Sequence, residues 1–261
     1  MAAPFAYEQP TLGRAWHGLR QHLLTVVMII LISGGLNLIG YGLANLLFGG
    51  GVEQPRLADS AYSVRVALNQ LLQTPFTVVA SLVSVLLTAV PALYYETGRV
   101  ITPNKALQLL LQRPARYFLA GVLATVVIVV GLLFCILPGL AVAMVMPVYT
   151  NRVFVTDQPI GEALVRSFQS VYGHAKGWKF LLIQLIAWLL VALLVFVSAV
   201  VITIVMIGLR AMISNQNIVL LIPYGAMTLG VIAGSLVGWL LLPQMATFYV
   251  QNAAYRLGVL T

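Results

Sequence analysis

Long apolar runs alternate with short basic ones along the whole chain. Charge-free stretches cover Leu23–Val52, Val66–Tyr95, Tyr117–Asn151, Phe180–Leu209 and Ala211–Tyr255. A helix needs about 20 apolar residues to cross a hydrocarbon core of roughly 30 Å, so the first, second and fourth stretches predict one span each. In the fifth, Ser214-Asn215-Gln216-Asn217 is polar and Pro223 is placed to open a helix. That pattern predicts a loop up to Pro223 and one span onward to Tyr255.

The third stretch is long enough for one overlong helix or two short ones, and Leu137-Pro138-Gly139 interrupts it. Proline removes a backbone donor and disfavours helical geometry in the residue before it, while glycine suits a tight turn. The positive-inside rule separates the two readings. With Pro138 and Gly139 at a hairpin tip and the N-terminus in the cytoplasm, the cytoplasmic side holds Arg14, Arg20, Arg99, Lys105, Arg113, Arg116, Arg152, Arg166, Lys176, Lys179 and Arg256. The far side then keeps Arg56, Arg65 and Arg210. A single span would flip every later loop and spread the cations evenly, so the hairpin is the expectation. It predicts one integral membrane domain over residues 1–261, with spans near 23–47, 70–95, 117–136, 138–155, 179–207 and 223–255.

A similar segment stands before the first, third and fifth spans. Gln9-Pro10 precedes Ala15-Trp16 and Leu19; Thr102-Pro103 precedes Ala106-Leu107 and Leu110; Gln158-Pro159 precedes Ala163-Leu164 and Phe168. Each places Pro at a helix start and then apolar residues at helical spacing. Two or three amphipathic interfacial helices are therefore expected, with a three-hairpin repeat as one reading and independent helix starts after loops as the other.

Composition supports the membrane assignment. The chain is 61% hydrophobic and 8% charged, with a mean hydropathy of +1.00; soluble domains carry roughly 25% charged residues. The net charge of +8 would suggest nucleic acid on a soluble protein. Here the cations flank apolar spans, where anionic headgroups are the natural counter-charge, and no nucleic-acid partner is expected. Cys135 is the single cysteine, which excludes an intramolecular disulfide and a Cys-x-x-Cys site. The first apolar run is too long for a cleavable signal and is expected to be retained as an anchor.

The segment from Gly131 through Cys135 to Leu137-Pro138-Gly139-Leu140, then Pro147-Val148, then Gly161-Glu162-Ala163-Leu164-Val165-Arg166-Ser167-Phe168, resembles the membrane-domain superfamily of glycerophosphoryl diester phosphodiesterases. Those proteins, and stand-alone bacterial relatives of unknown function, carry an apolar run ending in Pro-Gly, a second run with Pro, and an Ala-Leu-x-x-Ser helix. The resemblance extends to Tyr255-Arg256 and implies a six-span bacterial inner-membrane protein with a lean toward lipid-linked roles. The soluble hydrolytic domain of the phosphodiesterases has no counterpart in these residues, so the resemblance brings no catalytic residue and no cofactor with it.

Candidate chemistry is sparse. His17, His22 and His174 are expected at the cytoplasmic interface as solvated or headgroup-facing side chains, and no paired carboxylates or Ser/His arrangement stands at membrane depth. Catalytic, metal and cofactor-binding residues are accordingly none. Asn37, Tyr41 and Asn45 recur every four residues and share a helix face, while Gln244 and Gln251 lie with Thr247 and Asn252 near the end of the last span. These groups read either as interhelical hydrogen-bonding glue or as a polar seam lining a path. Ala226, Gly230, Gly234 and Gly238 form a small-residue stripe suited to close helix packing within the chain or with a second copy. Arg99, Lys105, Arg152, Arg166, Lys176 and Lys179 are the candidate contacts for lipid headgroups, or else set orientation alone. The expected protein is non-enzymatic: an inner-membrane, lipid-binding or scaffolding protein with both termini cytoplasmic, partnered by membrane lipids, anionic ones included, and open to a protein partner or homo-oligomer. The alternative is a small transporter or flippase with a polar path along the first and last spans.

Overall fold

The computed structural model describes residue 5 and residues 9–48, 60–134, 136–214 and 240–258. Regular structure among them is entirely helical: α1 (Leu12–Gln21), α2 (Leu23–Phe48), α3 (Ser60–Ser84), α4 (Leu86–Thr97), α5 (Pro103–Gln112), α6 (Pro114–Phe134), α7 (Ile136–Val155), α8 (Ile160–Tyr172) and α9 (Ala175–Ser214), with a C-terminal helix over residues 240–258. Five stretches among the described residues are long and apolar enough to cross a membrane: Leu23–Phe48, Val64–Thr97, Pro114–Phe134, Ile136–Val155 and Ala175–Val205. The all-α expectation therefore stands, with apolar helices compatible with a membrane. The first half of the expected last span, together with Ala226, Gly230, Gly234 and Gly238, lies outside the described residues.

The third apolar stretch is two helices, not one. Tyr117 stacks on Phe154 at 4.3 Å between ring centroids, the Tyr149 hydroxyl donates to the Ala120 carbonyl at 3.3 Å, and Gly131 lies against Gly139. These pairs step inward toward residue 135, which makes α6 and α7 an antiparallel hairpin. A Cβ on Gly131 would sit 2.9 Å from the Gly139 backbone, closer than side chains tolerate, so glycine permits the approach. The turn differs in place from the expected tip. α7 already begins at Ile136, and Pro138 and Gly139 fall in its first turn, where a missing N–H costs nothing because the first donors of a helix have no intrahelical acceptor.

α2 and α3 pack with a second close approach, Gly40 against Phe76. The Val64–Thr97 stretch is broken at Val85 between α3 and α4. α9 continues to Ser214, past the expected end near residue 207; at 1.5 Å per residue its 40 residues reach about 60 Å.

One end of the bundle gathers the short helices. α1 buries Ala15, Gly18 and Leu19, α5 buries Ala106 and Leu110, and α8 buries Ala163, Leu164, Ser167 and Val171, each leaving its opposite face exposed. Thr11 caps α1, its hydroxyl accepting from the Arg14 N–H at 3.3 Å. α4 ends on Gly98 at φ 65°, a left-handed conformation that favours glycine. That turn leads Val100 and Ile101 back under α1. The opposite end lies at the α6–α7 turn and the start of α3. Large apolar side chains face outward along the helices between the two ends, Leu31, Val126, Leu189 and Phe196 among them. Such a surface suits a lipid solvent.

Candidate functional site

The short-helix end is built by polar side chains that reach across the fold. His22 stands at the break between α1 and α2 and is fully buried. Its Nε2 accepts from the Ile101 N–H at 3.0 Å, and its Nδ1 lies 2.8 Å from the Gly18 carbonyl. Since Nε2 accepts, Nδ1 carries the proton and donates to Gly18: the ring is the neutral tautomer. The Thr25 hydroxyl donates to the Ile101 carbonyl at 2.8 Å, so both polar backbone groups of Ile101 are satisfied by α1–α2 side chains. Burial holds the imidazole below the usual histidine range. His22 is thus a structural core histidine, which corrects the expectation of a solvated or headgroup-facing one. His17, by contrast, is exposed and pairs with Gln21 at 3.0 Å, and the His174 ring lies 3.2 Å from the Gln169 carbonyl. Tyr94 and Phe248 close over His22, Tyr94 meeting it edge-on at 4.8 Å, and Tyr95 packs against both of them.

A second set of contacts ties α6 to the linker before α8. Arg116 donates from Nη2 to the carbonyls of Thr156 and Gln158, both at 2.8 Å. Arg113 pairs with Asp157; that hydrogen bond and charge hold the exposed Asp157 carboxyl below its ordinary range.

The six candidate headgroup residues are not equivalent. Arg166 pairs with Glu162 at 2.5 Å one helical turn away, and Arg152 is half-buried and donates to Ser170 Oγ at 2.7 Å. Both serve the fold. Arg99 and Lys105 are exposed around the α4–α5 turn. Lys176 and Lys179, on the first turns of α9, come together with Arg256 of the C-terminal helix, a residue the sequence reading had not singled out as a contact. These three line a cleft of about 580 Å³ whose floor is Phe180, Ile183, Tyr249, Ala253 and Leu257, closed on one side by Gln9 and Pro10. Among the described residues no carboxylate lines it. Cationic walls over an apolar floor suit a ligand with an anionic head and a hydrocarbon body. Gln9 beside Arg256 also places the two described ends of the chain at the same end of the bundle.

The polar residues of the first and last spans are not brought to one cavity. Asn37 and Tyr41 are exposed on α2 and Asn45 is half-buried. Gln244 is half-buried with its Oε1 enclosed. Gln251 is buried and faces a separate cavity shared with Gln184 of α9, whose lining includes none of Asn37, Tyr41 and Asn45. Gln184 was hidden in the sequence as a single polar residue in a long apolar run. Among the described residues, no three His, Cys, Asp or Glu side chains are grouped as a metal ion requires.

Comparison of the chain with protein-family models, with curated proteins and with solved structures returned no match.

Proposed function

We propose that this chain is a non-enzymatic, six-span bacterial inner-membrane protein that binds anionic lipid at its cytoplasmic end and serves envelope or lipid homeostasis as a binding or scaffolding unit. The observation that carries this reading is the Lys176–Lys179–Arg256 cleft over its apolar floor. Each cation near an anionic leaflet contributes about 1 kcal/mol of attraction, and three converging on one cleft make a localised site.

The charges and the packing together support this topology. The short-helix end carries the cations expected inside the cell, and the positive-inside rule makes it cytoplasmic. Gln9 and Arg256 share that end, which supports an even number of crossings, and counting the C-terminal helix as a span beside the five apolar stretches gives the six of this reading. α1, α5 and α8 would then lie in the cytoplasmic interface, each leading into a pair of spans, as the three-hairpin repeat supposes. This architecture agrees with what the resemblance to the phosphodiesterase membrane domains implies.

The test is lipid retention. The protein is purified in mild detergent from membranes of known composition, and bound lipid is identified by native mass spectrometry. Phosphatidylglycerol or cardiolipin should be enriched over zwitterionic lipid, and the K176Q/K179Q/R256Q variant should lose the enrichment. Retention in simple proportion to bulk composition would overturn the proposal.

A further inference from the structure

A second cavity, of about 340 Å³, opens between α4, α7, α9 and the C-terminal helix. Its volume lies at the lower end of the ~300–1,000 Å³ typical of small-molecule sites. Gln184 and Gln251 line it, 1% and 2% exposed, and the Oε1 of each has no hydrogen-bond partner. Asn151 and Asn252, next in sequence to the lining residues Thr150 and Gln251, are also buried with both side-chain polar atoms unpartnered. An unpaired buried amide is costly, and a donor that reached either glutamine oxygen would remove that cost.

The lining sets the chemistry of that molecule. Thr88, Thr150 and Thr247 each spend their proton on a carbonyl of their own chain, to Val85 at 2.8 Å, Met146 at 2.9 Å and Pro243 at 2.8 Å. Their hydroxyl oxygens can therefore only accept. Pro147 lacks the N–H that the Ala143 carbonyl would bind in an unbroken helix, and both residues line the cavity. The three hydroxyl oxygens and the Ala143 carbonyl are acceptors, and that side of the cavity suits a ligand that donates a hydrogen bond. Among the described residues no ionisable side chain lines it, and beside these residues a charged head would lose its hydration without a counter-ion. Most of the wall is apolar, and Trp188 at its edge is 64% exposed, which gives hydrocarbon chains a way in from the membrane. Gln184 lies nine residues along α9 from Ala175, roughly 14 Å below the basic end at 1.5 Å per residue.

We propose that the cavity formed by Gln184, Gln251 and the three threonines is a binding site for an uncharged, hydroxyl-bearing lipid of the diacylglycerol class. The site is separate from the basic cleft and does not rest on it.

The experiment compares two probes in nanodiscs: 1,2-dioleoylglycerol, and the same lipid with its hydroxyl acetylated. Native mass spectrometry should show the wild-type protein retaining the alcohol over the acetate by about tenfold, the scale of a lost hydrogen bond. Q184L/Q251L should abolish that preference while folding normally, since apolar replacements remove the unpaired groups. T247V, a smaller change, should weaken it and covers the case of a double variant that does not fold. K176Q/K179Q/R256Q should keep it, so that failure of anionic-lipid binding and failure of this site are distinguishable. Equal retention of the two probes, retention of neither, or a preference undisturbed by Q184L/Q251L and T247V would overturn the assignment.

Discussion

His22 and Ile101, 79 positions apart in sequence, are joined by a hydrogen bond of 3.0 Å from the Ile101 N–H to the imidazole Nε2. The same ring is 2.8 Å from the Gly18 carbonyl, so one buried side chain couples α1 to the α4–α5 turn. Replacing one partner of a buried hydrogen bond leaves the other unsatisfied, which costs about 1–3 kcal/mol. His22→Ala is expected to lower stability by that amount in detergent-based thermal melts. His17→Ala, on the exposed face, is expected to leave it unchanged.

The same histidine gives a pH dependence with a definite sign. Its folded-state pKa lies below the ordinary value of 6.5. Above pH 6.5 the ring is neutral both folded and unfolded. As pH falls through 6.5, the unfolded chain takes up a proton that the folded chain refuses, and stability declines until the lower folded pKa is reached. Melting temperatures measured from pH 8 to pH 5 should fall more steeply for wild type than for His22→Ala. Parallel curves would show that His22 does not carry the effect.

Gly131 and Gly121 occupy the same helix and should respond oppositely to alanine. A Cβ at 131 meets the α7 backbone at 2.9 Å, whereas one at 121 meets nothing within 4 Å. Gly131→Ala is expected to destabilise by about 1–3 kcal/mol through overpacking. Gly121→Ala is expected to stabilise by up to ~1 kcal/mol through helix propensity. Paired melts of the two variants decide this.

Arginine position should matter more than arginine count. Arg116 satisfies two carbonyls of the α7–α8 linker, so Arg116→Ala should loosen that linker, seen as faster proteolysis between α7 and α8. Arg113 is paired with Asp157 but exposed, and exposed pairs contribute little; Arg113→Ala should leave cleavage rates as they are.

For the hairpin, single cysteines in a Cys135→Ser background provide the check. Leu137→Cys at the α6–α7 turn and Asp157→Cys before α8 should react with a membrane-impermeant thiol reagent from opposite sides, Asp157→Cys from the cytoplasm. Labelling of Asp157→Cys from the outside would refute the topology.

The membrane-compatible apolar helices, the all-helical content and the split of the third stretch were already legible in the sequence. Each depends on quantities that are local or additive: apolar run length against bilayer thickness, the positions of Pro138 and Gly139, and the spacing of fourteen cations between the apolar runs. The tertiary structure decided which polar groups work together. His22 in the sequence is one more residue of a basic interface, and Gln184 a lone amide in a lipid-facing run. The first becomes a core latch because Ile101 returns to it through the Gly98 turn. The second becomes part of a site because the C-terminal helix places Gln251 on the same cavity. Lys176, Lys179 and Arg256 likewise meet only when two helices distant in sequence pack side by side. Hydrophobicity assigns each residue to lipid, core or interface, but the partner of a polar side chain is a matter of long-range contact, and that is set only when the helices have packed.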